Sequence, residues 1–301
     1  MRSTAALGSV VLLAATVLTP SQALGQSPPA SRAPRHVFEV WLGPTVVSSG
    51  FDGTITADYP LSLLYGSGSG RATQQLTLST PRHFGAEGGI GVFPIKHVGF
   101  QVRLHYVTAD FSGTSGPFRV TLDYTSTQPP DYVPTQHHLD SSRDWPAPTG
   151  AATLLTVSFE GAVRWEAGTR FSGTASGGLT YFRAKGHADS LAYREYWLWG
   201  NSTLASMTYA ASVSYGTVSA RGFDVGGGMA ARVGGPVAVL VDVRYFHASR
   251  LTPEIRVSGF ADYSAPPGHL SIYGVNPRMA PIKASFDPSF ARIFLGVRVR
   301  S

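Results

Sequence analysis

Val98-Gly99-Phe100-Gln101-Val102-Arg103-Leu104-His105-Tyr106-Val107 is the stretch that decides the fold. Val98, Phe100, Val102, Leu104 and Tyr106 share one parity, and Gly99, Gln101, Arg103 and His105 share the other. A β-strand turns those two sets to opposite faces, one greasy and one polar. The same split recurs downstream. Leu155, Val157, Phe159, Val163 and Trp165 stand against Thr156, Ser158, Glu160 and Arg164. Val225, Met229 and Ala231 stand against Asp224 and Arg232, and Val239, Val241, Val243 and Tyr245 against Asp242 and Arg244. The last such segment sets Ile293, Leu295, Val297 and Val299 against Arg292, Arg298 and Arg300.

Eight segments of this kind are expected, at 36–47, 83–94, 98–111, 153–166, 170–183, 219–233, 237–248 and 288–300. Each has roughly the 9–11 residues with which a tilted strand crosses a bilayer, plus a short extension. Their connections alternate in length. Pro94-Ile95-Lys96-His97, Ala167-Gly168-Thr169 and Gly234-Gly235-Pro236 are tight turns, whereas 48–82, 112–152, 184–218 and 249–287 each run to roughly 35–40 residues. Loops of that length argue against a compact soluble domain. Short turns at one end and long loops at the other suit an outer-membrane barrel, with the long loops extracellular. The expected fold is therefore all-β: an antiparallel, transmembrane, up-and-down β-barrel of eight strands. Ten to twelve strands is the structural alternative, because Gln74–Ser79, Phe118–Tyr124, Met207–Tyr215 and Ile255–Phe260 also alternate; these read as hairpins standing above the membrane.

Composition agrees. Only 14% of the 301 residues are charged, Gly reaches 34 and aromatics 11%. Soluble domains carry nearer a quarter charged residues, and a lipid-facing surface accounts for the deficit. The net charge of +6 is spread along the chain without a Lys/Arg run, which argues against nucleic acid as a partner. The absence of Cys excludes disulfide frameworks and thiolate metal sites. At the N-terminus, Arg2, the apolar run Ala5–Leu18 and Ala23-Leu24-Gly25 read as a signal peptide over 1–25. The Pro-rich stretch 26–35 (QSPPASRAPR) is then a linker, and 36–301 the barrel domain. The apolar run is too short to span about 30 Å of hydrocarbon comfortably as a helix. The expected location is the bacterial outer membrane.

The layout resembles the OmpA-like family of small outer-membrane β-barrels (the outer membrane protein β-barrel domain). Besides the architecture, the resemblance rests on Ile293-Phe294-Leu295-Gly296-Val297-Arg298-Val299-Arg300-Ser301, an alternating final strand of the family type. It implies recognition by the outer-membrane assembly machinery, although Ser301 stands where the family usually has a terminal aromatic. It also implies outer-membrane lipid and lipopolysaccharide as surroundings.

Inward parity gathers Glu87, Glu160, Asp224 and Asp242 with Arg103, Arg164, Arg232, Arg244, Arg292 and Arg298. An eight-stranded interior is just wide enough for side chains to fill, so these charges are expected to pair into a plug. The surplus of Arg over acid would give a weak anion preference if the lumen opened. Outward parity places Phe84, Tyr181, Phe223 and Tyr245 at the extracellular rim and Phe100, Trp165 and Phe171 at the periplasmic rim, where ring side chains tolerate the headgroup region. Trp41 shares parity with Glu39 and is expected inside.

Three functions follow in order: a structural or surface-interaction barrel with a plugged lumen, a narrow passive pore for small solutes, and a lipid-directed hydrolase. For the first, Tyr193, Tyr196, Trp197 and Trp199 in the third loop form an aromatic cluster suited to an extracellular ligand. For the third, His247-Ala248-Ser249 with Glu254 has the His-x-Ser spacing of a lipid A deacylase family. Its neighbours depart from that family, with Arg250 directly after the Ser and the carboxylate too close. No enzyme activity, cofactor or metal is expected. His137-His138 with Asp140 reads as a solvated loop, and Gly66–Arg71 as a flexible loop tip without a phosphate-loop pattern.

Overall fold

A computed structural model describes residues 37–48, 52–63, 66–128, 133–199, 203–261 and 282–301. The signal-peptide and linker readings lie outside these residues. In chain order the strands are β1 (Val37–Val47), β2 (Asp52–Ser62), β3 (Ser67–Ser79), β4 (His83–Ile95), β5 (Val98–Ser115), β6 (Phe118–Gln128) and β7 (Val133–Arg143). They continue as β8 (Thr149–Ala167), β9 (Phe171–Trp199), β10 (Thr203–Gly234), β11 (Val237–Ala248), β12 (Ile255–Ala261), β13 (Lys283–Asp287) and β14 (Phe290–Arg300).

Eight of them close a ring. β1 pairs β4, β4 pairs β5, β5 pairs β8 and β8 pairs β9. β9 pairs β10, β10 pairs β11, β11 pairs β14, and β14 returns to β1, every pairing antiparallel. Closure leaves the ring without an edge, so its backbone donors and acceptors are satisfied internally. The ring strands are the eight expected segments. The remaining strands lie outside the ring, which answers the ten-to-twelve-strand alternative: β3 continues the wall beside the far end of β5 through Leu76–Ser79, and β12 does so beside β10 through Ala210–Tyr215.

At one end the ring strands join through tight turns, with Gly168 (φ 69°) and Gly235 (φ 53°) supplying left-handed backbone that other residues rarely adopt. At the other end β9 and β10 run on as one long hairpin to Trp199 and Thr203. β2 pairs β3, β3 pairs β6, β6 pairs β7 and β13 pairs β2. The first three long connections are thus largely β-structure, and the described parts of the fourth contribute β12 and β13. Gly66–Arg71, expected as a loop tip, opens β3, whose glycines sit between two strands; a Cβ on Gly70 would lie 2.4 Å from the Thr121 carbonyl oxygen.

Parity holds along the ring. On β5, Phe100, Leu104 and Tyr106 are exposed on the outer face while Gln101, Arg103 and His105 are buried. The outer face is otherwise built from residues such as Leu42, Ile90, Phe159, Leu179, Met229, Val241 and Leu295. Trp41 is inside, 2% exposed. Its indole occupies the space a side chain at Gly89 would need, since a Cβ there would lie 2.3 Å from the ring.

Candidate functional site: a filled lumen beneath a folded hairpin assembly

The middle of the lumen is an ion-pair network contributed by six strands. Arg103 on β5 reaches Glu87 on β4 (2.8 Å), Glu160 on β8 (3.0 Å) and Asp242 on β11 (3.6 Å). Arg244 on β11 contacts Asp224 on β10 (2.9 Å) and Glu160 (3.1 Å). Arg292 on β14 contacts Glu87 (2.6 Å) and Asp242 (2.9 Å). The register sets Arg244 directly opposite Arg292. Like charges so placed repel, and the carboxylates between them make the placement tenable. Polar side chains complete the network: Ser176 donates to Glu160 (2.7 Å), Thr180 to Asp224 (2.8 Å), and Arg103 to the Gln101 side-chain oxygen (3.0 Å). Trp41 lies 4.8 Å from the Arg103 guanidinium, in cation–π contact.

A second group lies nearer the turn end. Arg164 pairs with Glu39 and stacks on the Phe93 ring at 3.6 Å, and Arg298 lies 3.8 Å from Glu39. Glu39 is the acid that inward parity implied but that the expected charge set omitted. Arg232 belongs elsewhere: it is exposed at the turn-end mouth, eight residues along β10 from Asp224. Two residues before the turn, the inward direction opens onto solvent rather than into the lumen. The buried set is therefore Glu39, Glu87, Glu160, Asp224 and Asp242 against Arg103, Arg164, Arg244, Arg292 and Arg298. Carboxylates and guanidiniums balance one for one. The expected Arg surplus, and with it an anion preference for the lumen, is absent from this buried set.

Toward the long-loop end the inward parity turns apolar. Val47, Val107, Leu154, Phe182, Phe246 and Phe290 are at most 3% exposed and belong to one hydrophobic cluster. Phe246 and Phe290 stack at 4.6 Å, and His105 lies against both while its Nε2 meets the Thr45 hydroxyl at 3.0 Å. This layer was readable in the same alternation, in inward residues beyond the last charge, as Phe246 follows Arg244 and Phe290 precedes Arg292.

The cluster continues into the hairpins above. Ile55 and Tyr59 (β2), Leu76 and Leu78 (β3), Phe118, Val120 and Leu122 (β6), Leu191 and Tyr196 (β9), Val213 and Tyr215 (β10) and Phe286 (β13) are its members. Of the expected surface aromatics, Tyr193 and Tyr196 are buried here. Tyr193 stacks on Tyr59 at 5.3 Å, and Tyr59 donates to the Ala192 carbonyl (3.1 Å). Burial pushes the Tyr59 phenol well above its ordinary pKa. The Arg194 guanidinium donates to the Tyr196 hydroxyl (3.2 Å). These two tyrosines are packing groups, not a free contact patch, because the long hairpins pack on one another. Trp197 and Trp199 lie on the β9 backbone, and their side chains are outside the described residues.

Phe84, Tyr181, Phe223 and Tyr245 are exposed on the outer face toward the long-loop end, and Phe100, Trp165 and Phe171 toward the turn end. His247 also lies on the outer face, with its ring near Tyr245 and Phe223. Its Nδ1 meets the Ser289 hydroxyl at 3.1 Å, not that of Ser249, and Glu254 bridges through its backbone to Lys283. The His-x-Ser pair with its carboxylate is not assembled. On β6 and β7, His137 meets the Ser126 hydroxyl (2.6 Å) and His138 meets Asp123 (2.6 Å). The Asp123 hydrogen bond and charge hold the His138 pKa above its ordinary value.

No family model matches the chain, and no curated protein matches it. Among solved structures it is similar to the outer membrane protein OprG from Pseudomonas aeruginosa, at 13% identity and TM-score 0.40, covering 88% of this chain and 95% of that one. It is also similar to the outer membrane protease OmpT from Escherichia coli, at 10% identity and TM-score 0.35, covering 91% of this chain and 99% of that one.

Proposed function

We propose that this chain is a bacterial outer-membrane β-barrel of the OmpA-like kind, with a closed lumen, that acts through the hairpin assembly it holds above the membrane. The observation that carries this reading is the double filling of the barrel. An ion-pair network, part of a buried set in which carboxylates and guanidiniums balance, occupies its middle, and an apolar layer above it merges with the core of the hairpins. A conducting pore needs a continuous polar path, and the apolar layer interrupts one. Loops that served only as connections would not need a common core. This one draws on β2, β3, β6, β9, β10 and β13 and rigidifies the assembly as a platform. The apolar outer face with ring side chains toward both ends supports a membrane setting. Lipid and lipopolysaccharide are then its surroundings, and the exposed strand β7, whose one partner strand among the described residues is β6, offers it an accessible edge.

The chain has no Cys, so single introduced thiols report topology directly. Thr135→Cys on β7 is expected to react with a membrane-impermeant maleimide on intact cells. Thr169→Cys, in a tight turn, is expected to react only after the envelope is permeabilised. The opposite pattern, or equal labelling of both, would overturn the reading.

A further inference from the structure

At the turn-end mouth lies a cavity of about 440 Å³ whose lining includes Arg170, Arg232, Arg298 and Arg300 with a single acidic side chain, Glu166. That carboxylate is already engaged, by Arg300 (3.2 Å) and Lys96 (3.8 Å). Arg170 and Arg232 have no ion pair among the described residues. Arg298 is buried, with its side chain 7% exposed; it donates to the Ser172 hydroxyl (2.6 Å), while its Nε faces the Glu39 carboxylate at 3.8 Å, an ion pair without a hydrogen bond. Even with a carboxylate counted at Ser301, cations outnumber anions around the cavity.

The placement of these groups is built in. The Arg232 backbone N–H donates to the Arg170 carbonyl (2.8 Å), and that of Arg300 to the Pro236 carbonyl (3.0 Å). Backbone bonds between neighbouring strands and turns therefore fix the bases of three guanidinium arms around one concavity. Since the buried lumen is charge-balanced, the cationic excess of the inward-facing side sits at this mouth. Planar guanidinium forks match tetrahedral oxyanions, to which they give paired charge-assisted hydrogen bonds.

We infer that this cavity is a binding site for a phosphate-class oxyanion, gripped by Arg170, Arg232 and Arg298, with Ser172 and Thr169 as neutral partners. Two sources share that chemistry: a free phosphate or phosphorylated solute, and the headgroup of an anionic phospholipid. Phe171 lines the cavity and is also exposed on the outer face, so a headgroup can enter while its chains stay beside the barrel.

The test uses the full chain refolded in neutral phosphatidylcholine vesicles. Pyrophosphate and inorganic phosphate are titrated in one arm, with binding read by calorimetry and by ³¹P line broadening. The other arm measures preferential association of phosphatidylglycerol over phosphatidylcholine, using spin-labelled lipids. The comparison variant is Arg170→Gln with Arg232→Gln; both side chains are exposed and outside the buried network, and heat-dependent gel mobility checks that it folds. Saturable pyrophosphate binding that weakens at least tenfold in the double variant supports a free-oxyanion site. Phosphatidylglycerol preference lost in the variant, without pyrophosphate binding, supports a headgroup site. No response in either arm, or a folded double variant that binds like wild type, overturns the inference.

Discussion

Replacing Arg103 by Met removes the one side chain among the described residues that contacts Glu87, Glu160 and Asp242 together, at 2.8, 3.0 and 3.6 Å. At an effective dielectric near 20, a contact of about 3 Å is an attraction on the order of 5 kcal/mol before desolvation. Desolvating the guanidinium offsets much of that sum. The carboxylates, however, stay buried when the cation goes, and breaking such a cluster costs about 3–5 kcal/mol. In the central network the variant leaves Glu87, Glu160, Asp224 and Asp242 facing only Arg244 and Arg292. Adding Glu160→Gln restores the native excess of one carboxylate over guanidiniums. The double variant is therefore expected to be less destabilised than the two single costs added, with a coupling of roughly 1.5 kcal/mol or more. The assay is reversible urea unfolding in lipid vesicles, followed by tryptophan fluorescence, with gel mobility reporting the folded barrel. A cost for Arg103→Met below about 1 kcal/mol, together with additive single and double variants, would falsify the view that this network holds the lumen.

Three further outcomes follow. Leu295→Arg, which sets a charge on the outer face of β14, is expected to cost about 2–4 kcal/mol of folding free energy in vesicles if that face meets the bilayer midplane; equal stability to wild type would argue that the face is not in lipid. Gly89→Ala is expected to cost about 1–3 kcal/mol through collision with Trp41. The cost should shrink in a Trp41→Ala background, and an undiminished cost in the same urea titrations would place the clash elsewhere. His138 should titrate above the ordinary imidazole value by NMR, and Asp123→Asn should return it toward that value. Because the folded pKa is the raised one, the pair contributes fully below the unfolded pKa, and its contribution fades as pH rises through the folded pKa.

The ring was legible because each strand alternates so regularly that parity assigns its faces. Arg103, Glu160 and Arg244 could be placed inside from β5, β8 and β11 one strand at a time. Parity says nothing about depth along the barrel. Arg232 obeys the alternation yet sits too close to its turn to reach the carboxylates. Glu39, on a strand that carries an inward Trp, went unassigned although it partners Arg164 and Arg298. The strands of the hairpins were also visible, from Phe118–Tyr124 to Ile255–Phe260. What they pack against was not: contacts such as Tyr59 on Tyr193 join distant parts of the chain, and the third-loop aromatics looked free without their partners. The phosphate-class cavity lay hidden for a similar reason. Its guanidiniums come from three separate chain segments that the successive pairing of β9, β10, β11 and β14 brings together.

A closed barrel leaves activity to the assembly above it. Planar-bilayer recording from the refolded full chain tests this most directly. A baseline without discrete channels is expected, because the network of Arg103, Arg244 and Arg292 with its carboxylates fills the lumen and Phe246 and Phe290 cap it. Steady, reproducible single-channel steps from the correctly folded protein would contradict that closure.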